Sequence, residues 1–199
     1  MKNFASLFAR LVLALTLATG AGTAMAVPTS YHFDINTAKF GVTQGYLDLS
    51  FIGYDGAGAA TAVISNFTGG ANEATLALGT ASGNLATGAT MTSSGESFLD
   101  QLINFGGMIS FDVMFDGTIL GEGTTFGTSF YNAAFDQLLF VDGAFATIVL
   151  SPDAANAITT SAGFVTVAEN AAAVPEPGQW LLMLSGLLLL GAMVRRRSL

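Results

Sequence analysis

The chain of 199 residues contains one histidine, fourteen carboxylates and no cysteine, so its chemistry rests almost wholly on oxygen. Without cysteine there is no thiol nucleophile, no thiolate-held zinc or iron–sulfur cluster and no disulfide. His32 occupies a polar position in the alternating run Tyr31 to Asn36. A histidine base needs a nucleophile beside it, and no Gly-x-Ser-x-Gly elbow occurs, so His32 reads as a solvated surface residue. Asp112 and Asp116 share one parity of the run Ile109 to Asp116, as the two acids of a glycosidase might, but a sugar-cleaving cleft is walled by aromatic rings. The one tryptophan, Trp180, lies in an apolar run near the chain end, so a solvated acidic face is expected instead. No catalytic residue is assigned, and the chain reads as a non-enzyme. Calcium is the one metal the composition suggests, through aspartates at Asp-Gly turns, but no EF-hand loop or nonapeptide repeat locates a site. No other cofactor is expected.

Those residues must be positioned by residues 27–173. This body holds thirteen of the fourteen acids against a single base, Lys39, a net charge of −12. Such a surface repels phosphate and cannot supply the basic contacts that nucleic acid requires, so nucleic acid is excluded as a partner. Apolar residues alternate through Tyr31, Phe33 and Ile35, through Leu47, Leu49 and Phe51, and through Ile109, Phe111, Val113 and Phe115, the period of half-buried strands. Further strands are expected at Thr61–Phe67, Glu73–Leu78, Thr124–Tyr131, Gln137–Phe140, Ala144–Leu150 and Phe164–Ala168, separated by turn pairs such as Asp55-Gly56, Gly69-Gly70, Asp116-Gly117 and Asp142-Gly143. The last of these should join Leu138–Phe140 to Ala146–Ile148 as a hairpin. Phe98, Leu99, Leu102, Ile103 and Phe105 follow helical spacing after Ser94 and before Gly106-Gly107, which predicts one short helix over Glu96–Phe105. The fold class is all-β, an antiparallel β-sandwich of jelly-roll type with eight or nine strands and that helix.

Both ends carry addresses. Lys2 and Arg10 flank a short positive region, Leu11 to Ala18 is apolar, and Ala24-Met25-Ala26 sets small residues before Val27, so residues 1–26 read as a signal peptide cleaved between Ala26 and Val27. At the other end stands Pro175-Glu176-Pro177, which the two prolines hold extended. It leads into an apolar run from Trp180 to Val194 that includes Leu181, Leu182, Leu187, Leu188, Leu189 and Leu190. Fifteen helical residues span about 23 Å, short of the roughly 30 Å hydrocarbon core. Trp180 at one interface and Arg195, Arg196 and Arg197 snorkelling at the other make up the difference, and the arginines place that end in the cytoplasm.

An extended Pro-Glu-Pro, a short transmembrane helix and a terminal basic cluster, in that order behind a signal peptide, resemble the PEP-CTERM tail of Gram-negative bacteria. The likeness covers residues 174–199. It implies that Pro175, Glu176 and Pro177 form a sorting motif, that Trp180 to Val194 is a transient inner-membrane anchor and that Arg195 to Arg197 stop transfer. It also implies a partner, an exosortase-type membrane protease, for which this chain is substrate. The body is similar, more distantly, to ectodomains carried by such tails, through Gly45-Tyr46-Leu47-Asp48 and Ile148-Val149-Leu150-Ser151-Pro152-Asp153. The expectation is an exported surface or extracellular-matrix protein, first anchored with its body in the periplasm and then at the cell surface, in association with extracellular polysaccharide. The alternatives are a secreted carbohydrate-active hydrolase and a plain single-span membrane protein. Tyr31, Tyr46 and Tyr54 gathered on one sheet face would favour sugar binding; a cleft around His32 or a close carboxylate pair would favour the hydrolase.

Overall fold

Alternating apolar residues need two faces to bury one of them, and this chain answers with two six-stranded antiparallel sheets. A computed structural model describes residues 29–161 and 163–170; the segments expected to be a signal peptide and a sorting tail lie outside these residues. The first sheet contains β1 (Thr29–Asn36), β3 (Ala60–Thr68), β5 (Ser82–Asn84), β6 (Gly88–Thr92), β8 (Met108–Gly117) and β12 (Val165–Asn170), in the order β12-β1-β8-β3-β6-β5. The second contains β2 (Gln44–Gly53), β4 (Gly70–Leu78), β7 (Glu96–Asn104), β9 (Thr124–Asn132), β10 (Ala146–Leu150) and β11 (Ala157–Thr160), in the order β11-β10-β9-β2-β7-β4. Pairing is nested, β1 with β8, β2 with β7 and β3 with β6, so the chain alternates between the sheets from β1 to β5 and again from β6 to β9.

The inner faces meet through phenylalanine. Phe33 of β1 stacks on Phe111 at 4.8 Å and reaches Phe126 of the opposite sheet at 5.9 Å, while Phe51 of β2 stacks on Phe115 at 5.6 Å. Each such pair contributes about 0.5–1.5 kcal/mol beyond the area it buries. Gln101 also points inward, and it is satisfied there: its Oε1 accepts from Thr75 Oγ1 at 2.7 Å and from the Leu85 amide at 3.3 Å, and its Nε2 donates to the Ala74 carbonyl at 3.0 Å.

Two expectations are overturned. Glu96–Phe105 is not a helix: β7 lies between β2 and β4, with Leu99, Gln101 and Ile103 facing the core and Phe98, Asp100 and Leu102 facing outward. Because β7 carries apolar Phe98 and Leu102 on its outer face as well as Leu99 and Ile103 on its inner one, the doublets Phe98-Leu99 and Leu102-Ile103 imitate i, i+3, i+4 spacing. Nor do Leu138–Phe140 and Ala146–Ile148 form a hairpin. Residue Leu138 makes a single bridge to Tyr131, while β10 pairs with β9 and β11. Phe140 adopts φ 71°, which ends any extended run, and its ring stacks on Phe40 at 3.7 Å. Among the described residues there are twelve strands and no helix, so β5, β6 and β11 are additions to the predicted set.

Candidate functional site

The outer face of the second sheet carries an unexpected pair of acids. Along β2, Leu47, Leu49 and Phe51 are wholly buried against the core, so strand alternation turns Tyr46, Asp48 and Ser50 outward. Along β7 the same rule turns Phe98, Asp100 and Leu102 outward, and the register sets Asp48 directly opposite Asp100. Ser129 of β9 stands across from Asp48 on the other side, and Leu76 of β4 across from Asp100. Side chains directly opposite on antiparallel strands lie about 4.5–5.5 Å apart at Cβ, and two like charges there are destabilising.

Despite facing outward, Asp48 is only 8 % exposed and Asp100 2 %. Burial raises the pKa of both carboxyls. Asp48, pressed further by the hydrogen bond and the charge of Asp100, is pushed up to about 8. The pair therefore carries a shared proton at neutral pH, and the titration belongs to both groups together. Asp100 Oδ1 is buried and receives no hydrogen bond from any backbone, hydroxyl or amide donor. No cation answers the pair either, since the ion pairs among the described residues belong to His32 on the other sheet.

Aromatic rings adjoin the acids. Tyr131 of β9 is the register partner of Tyr46, and Phe135 caps both, stacked on Tyr131 at 4.5 Å and edge-on to Tyr46 at 5.3 Å. Phe135 holds φ 59°, a conformation costly for a bulky residue. Its loop is tied down by Asn132, whose Nδ2 donates to Asp136 Oδ1 at 2.7 Å, whose Oδ1 accepts the Asp136 amide at 3.1 Å, and whose carbonyl accepts the Phe135 amide at 2.9 Å. Burial, with the nearby carboxylates of Asp48 and Asp100, raises the pKa of the Tyr131 phenol.

The residues singled out from sequence fall elsewhere. His32 lies on the outer face of the first sheet, its Nδ1 2.6 Å from Asp112 Oδ1 and its Nε2 3.3 Å from Asp34 Oδ1. Asn66, at φ 54° in the β3 bulge, donates Nδ2 to Asp112 Oδ2 at 2.7 Å. Hydrogen bonding to Asp112 raises the His32 pKa, and the Asn66 amide, followed by His32, lowers that of Asp112. With a carboxylate on each ring nitrogen, the imidazole has no free position from which to activate a hydroxyl. Asp116 accepts the amide of Gly117 at 2.7 Å and stands four residues from Asp112, about 13 Å along a strand. That exceeds the roughly 5–9.5 Å separation of glycosidase acids; Asp48 and Asp100 are the close carboxylate pair that would favour a hydrolase, but, hydrogen-bonded to each other, they fall below that separation.

The three tyrosines do not gather: Tyr31 is buried with its hydroxyl accepting from Asn156 Nδ2 at 3.0 Å, Tyr46 is half-buried on the other sheet, and Tyr54 is exposed in a turn. Among the described residues, no group of three or more histidine and carboxylate side chains stands ready for a metal ion. Asp48 was visible in sequence as a polar residue inside the apolar alternation Leu47-Asp48-Leu49, but its partner was hidden by the helical reading of β7. The motif residues Pro175 to Pro177, the anchor Trp180 to Val194, the cluster Arg195 to Arg197 and the cleavage residues Ala24 and Ala26 all lie outside the described residues.

Comparison of the chain with curated proteins and with solved structures gives no match. The family model of the PEP-CTERM protein-sorting motif does match, over residues 173–197. That span contains Pro175-Glu176-Pro177, the apolar run and all three arginines. The chain is a PEP-CTERM-bearing protein.

Proposed function

We propose that this chain is an exported, non-enzymatic surface or extracellular-matrix protein, delivered through exosortase processing of its tail, whose jelly-roll-like sandwich associates with exopolysaccharide. The observation that carries the reading is the sorting motif at residues 173–197, which supports exosortase-dependent sorting of an exported protein. The nested pairing of β1 with β8, β2 with β7 and β3 with β6 supports the jelly-roll description of the body. The non-enzymatic reading draws on His32, held between two carboxylates, and on acids too far apart or too close for glycoside hydrolysis. Association with sugar draws on the rings of Tyr46, Tyr131 and Phe135 beside polar groups that accept hydrogen bonds.

The sorting step is tested by replacing Pro175-Glu176-Pro177 with three alanines, and separately by Glu176→Ala, then fractionating the cells. A protease that reads the tripeptide leaves both variants as uncleaved precursor in the inner membrane with the body in the periplasm. If the tripeptide is only a spacer, the apolar run and Arg195 to Arg197 still set topology and processing proceeds normally. Normal processing of both variants refutes the sorting role.

A further inference from the structure

The last strand is the one the sandwich holds least. β12 is an edge of the first sheet and pairs on one side only, with β1, where Asn170 stands opposite Ser30 and Val165 opposite Ile35. Of its six residues Val165 alone is buried and Val167 is half-buried, while Thr166, Ala168, Glu169 and Asn170 are exposed. The hold is also uneven along its length. At the start, Phe164 sets its ring 5.0 Å from that of Phe40 and 5.5 Å from that of Phe145, and its carbonyl accepts the Asn36 amide at 2.8 Å. At the end, Asn170 Nδ2 donates to Ser30 Oγ at 3.2 Å, a long bond exposed to water. An edge strand with little buried surface opens locally at small cost, and it opens from its weaker end. β1 does not follow, because all eight of its residues keep partners on β8.

That weaker end is the one from which the sorting motif departs. Four residues, Ala171 to Val174, separate Asn170 from Pro175, and four extended residues reach at most about 14 Å. A protease takes an extended stretch of chain around its motif, and beside a folded body local opening supplies that stretch. Releasing β12 adds six residues, about 20 Å of reach. We propose that β12 is a release strand: it unzips from β1 starting at Asn170, and the chain it frees lets the processing protease engage Pro175-Glu176-Pro177. This role rests on the exosortase-sorting reading above, whereas the loose hold on β12 rests on the fold.

The test locks the strand in the full chain. The protein has no cysteine, so Ser30→Cys with Asn170→Cys can form one disulfide only, between residues directly opposite each other at a spacing that suits the bridge. In cells, the oxidised double variant should accumulate as precursor, processed at least tenfold more slowly than the parent in a pulse-chase, and reductant should restore the rate. Six Gly/Ser residues inserted between Asn170 and Ala171 should restore processing with the lock still closed, because they replace the reach that β12 supplies. Thr61→Cys with Thr92→Cys, which ties β3 to β6 and leaves β12 free, should process as the parent does. The motif replaced by three alanines reports on sorting separately. Normal processing of that variant refutes sorting and the release role with it; normal processing of the locked chain, with the alanine variant blocked, overturns the release strand alone. A locked chain that the insertion fails to rescue, or a β3–β6 bridge that slows processing as much, also overturns it. If the two cysteines of the lock stay unjoined, hydrogen exchange on the parent chain in mild detergent decides. The amides of Ala168 to Asn170 should then exchange at least tenfold faster than those of β8, and equal protection overturns the release strand.

Discussion

Replacing Asp48 by asparagine tests the shared proton directly. Folding raises the Asp48 pKa from 3.8 to about 8, so between these values the folded chain keeps a proton that the unfolded chain releases. Stability from this source is fully present below pH 3.8 and is lost as pH rises through about 8. Each unit of pKa difference is worth about 1.4 kcal/mol, so at pH 7 the loss reaches on the order of 4 kcal/mol. Asp100, raised in the same direction by burial, adds to the slope, while Tyr131 stays protonated throughout. For a chain of this size 1 kcal/mol moves the melting temperature by about 2–4 °C, which predicts a fall of about 4 °C per pH unit between pH 5 and pH 8. Asparagine keeps the shape and carries its own donor, so Asp48→Asn should at least halve that slope and melt higher than the parent at pH 8. The assay is thermal unfolding followed by far-UV circular dichroism across that range. Parallel slopes in parent and variant would refute the shared-proton account.

On the opposite sheet the sign reverses in consequence. Since the His32 pKa is raised, its pairing with Asp112 stabilises below about pH 6.5 and fades as pH climbs through the folded value, so His32→Gln should lower the melting temperature at pH 5 but not at pH 8.5. With His32 37 % exposed the effect should stay under about 1 kcal/mol. Leu99→Ala should cost about 2–5 kcal/mol by chemical denaturation, because Leu99 is fully buried on a central strand; a loss below about 1 kcal/mol would contradict the placement of β7. Amino-terminal sequencing of the exported protein should begin at Val27, and a mature chain that begins at Met1 would exclude the signal peptide.

How far the sequence revealed this structure depended on which faces of each strand were covered. β1, β2 and β8 alternate cleanly because their outer faces keep polar residues such as His32, Ser50 and Asp112, and period two survives. β7 was misread because Phe98 and Leu102 on its outer face erase that alternation. The segment after β9 escapes sequence reasoning for another reason: Asp142-Gly143 carries hairpin chemistry, but Phe140 takes a positive φ and stacks on Phe40, a hundred residues away in sequence. The candidate site shared both obscurities. Asp48 and Asp100 are far apart in sequence and become a pair only through cross-strand register, which no periodicity encodes.

The pairing of β12 with β1 sets a clock on maturation. Ser30 Oγ accepts from Asn170 Nδ2 at 3.2 Å across a separation of 140 residues, and β8, the other neighbour of β1, is itself far downstream. At a synthesis rate of about 5–20 residues per second, the first strand emerges on the order of ten seconds before its last partner. Until β8 emerges, 80 residues behind β1, Tyr31, Phe33 and Ile35 have no partner strand, and until β12 follows one edge of β1 stays open, so β1 is the strand longest open to capture by chaperones or by a second nascent copy.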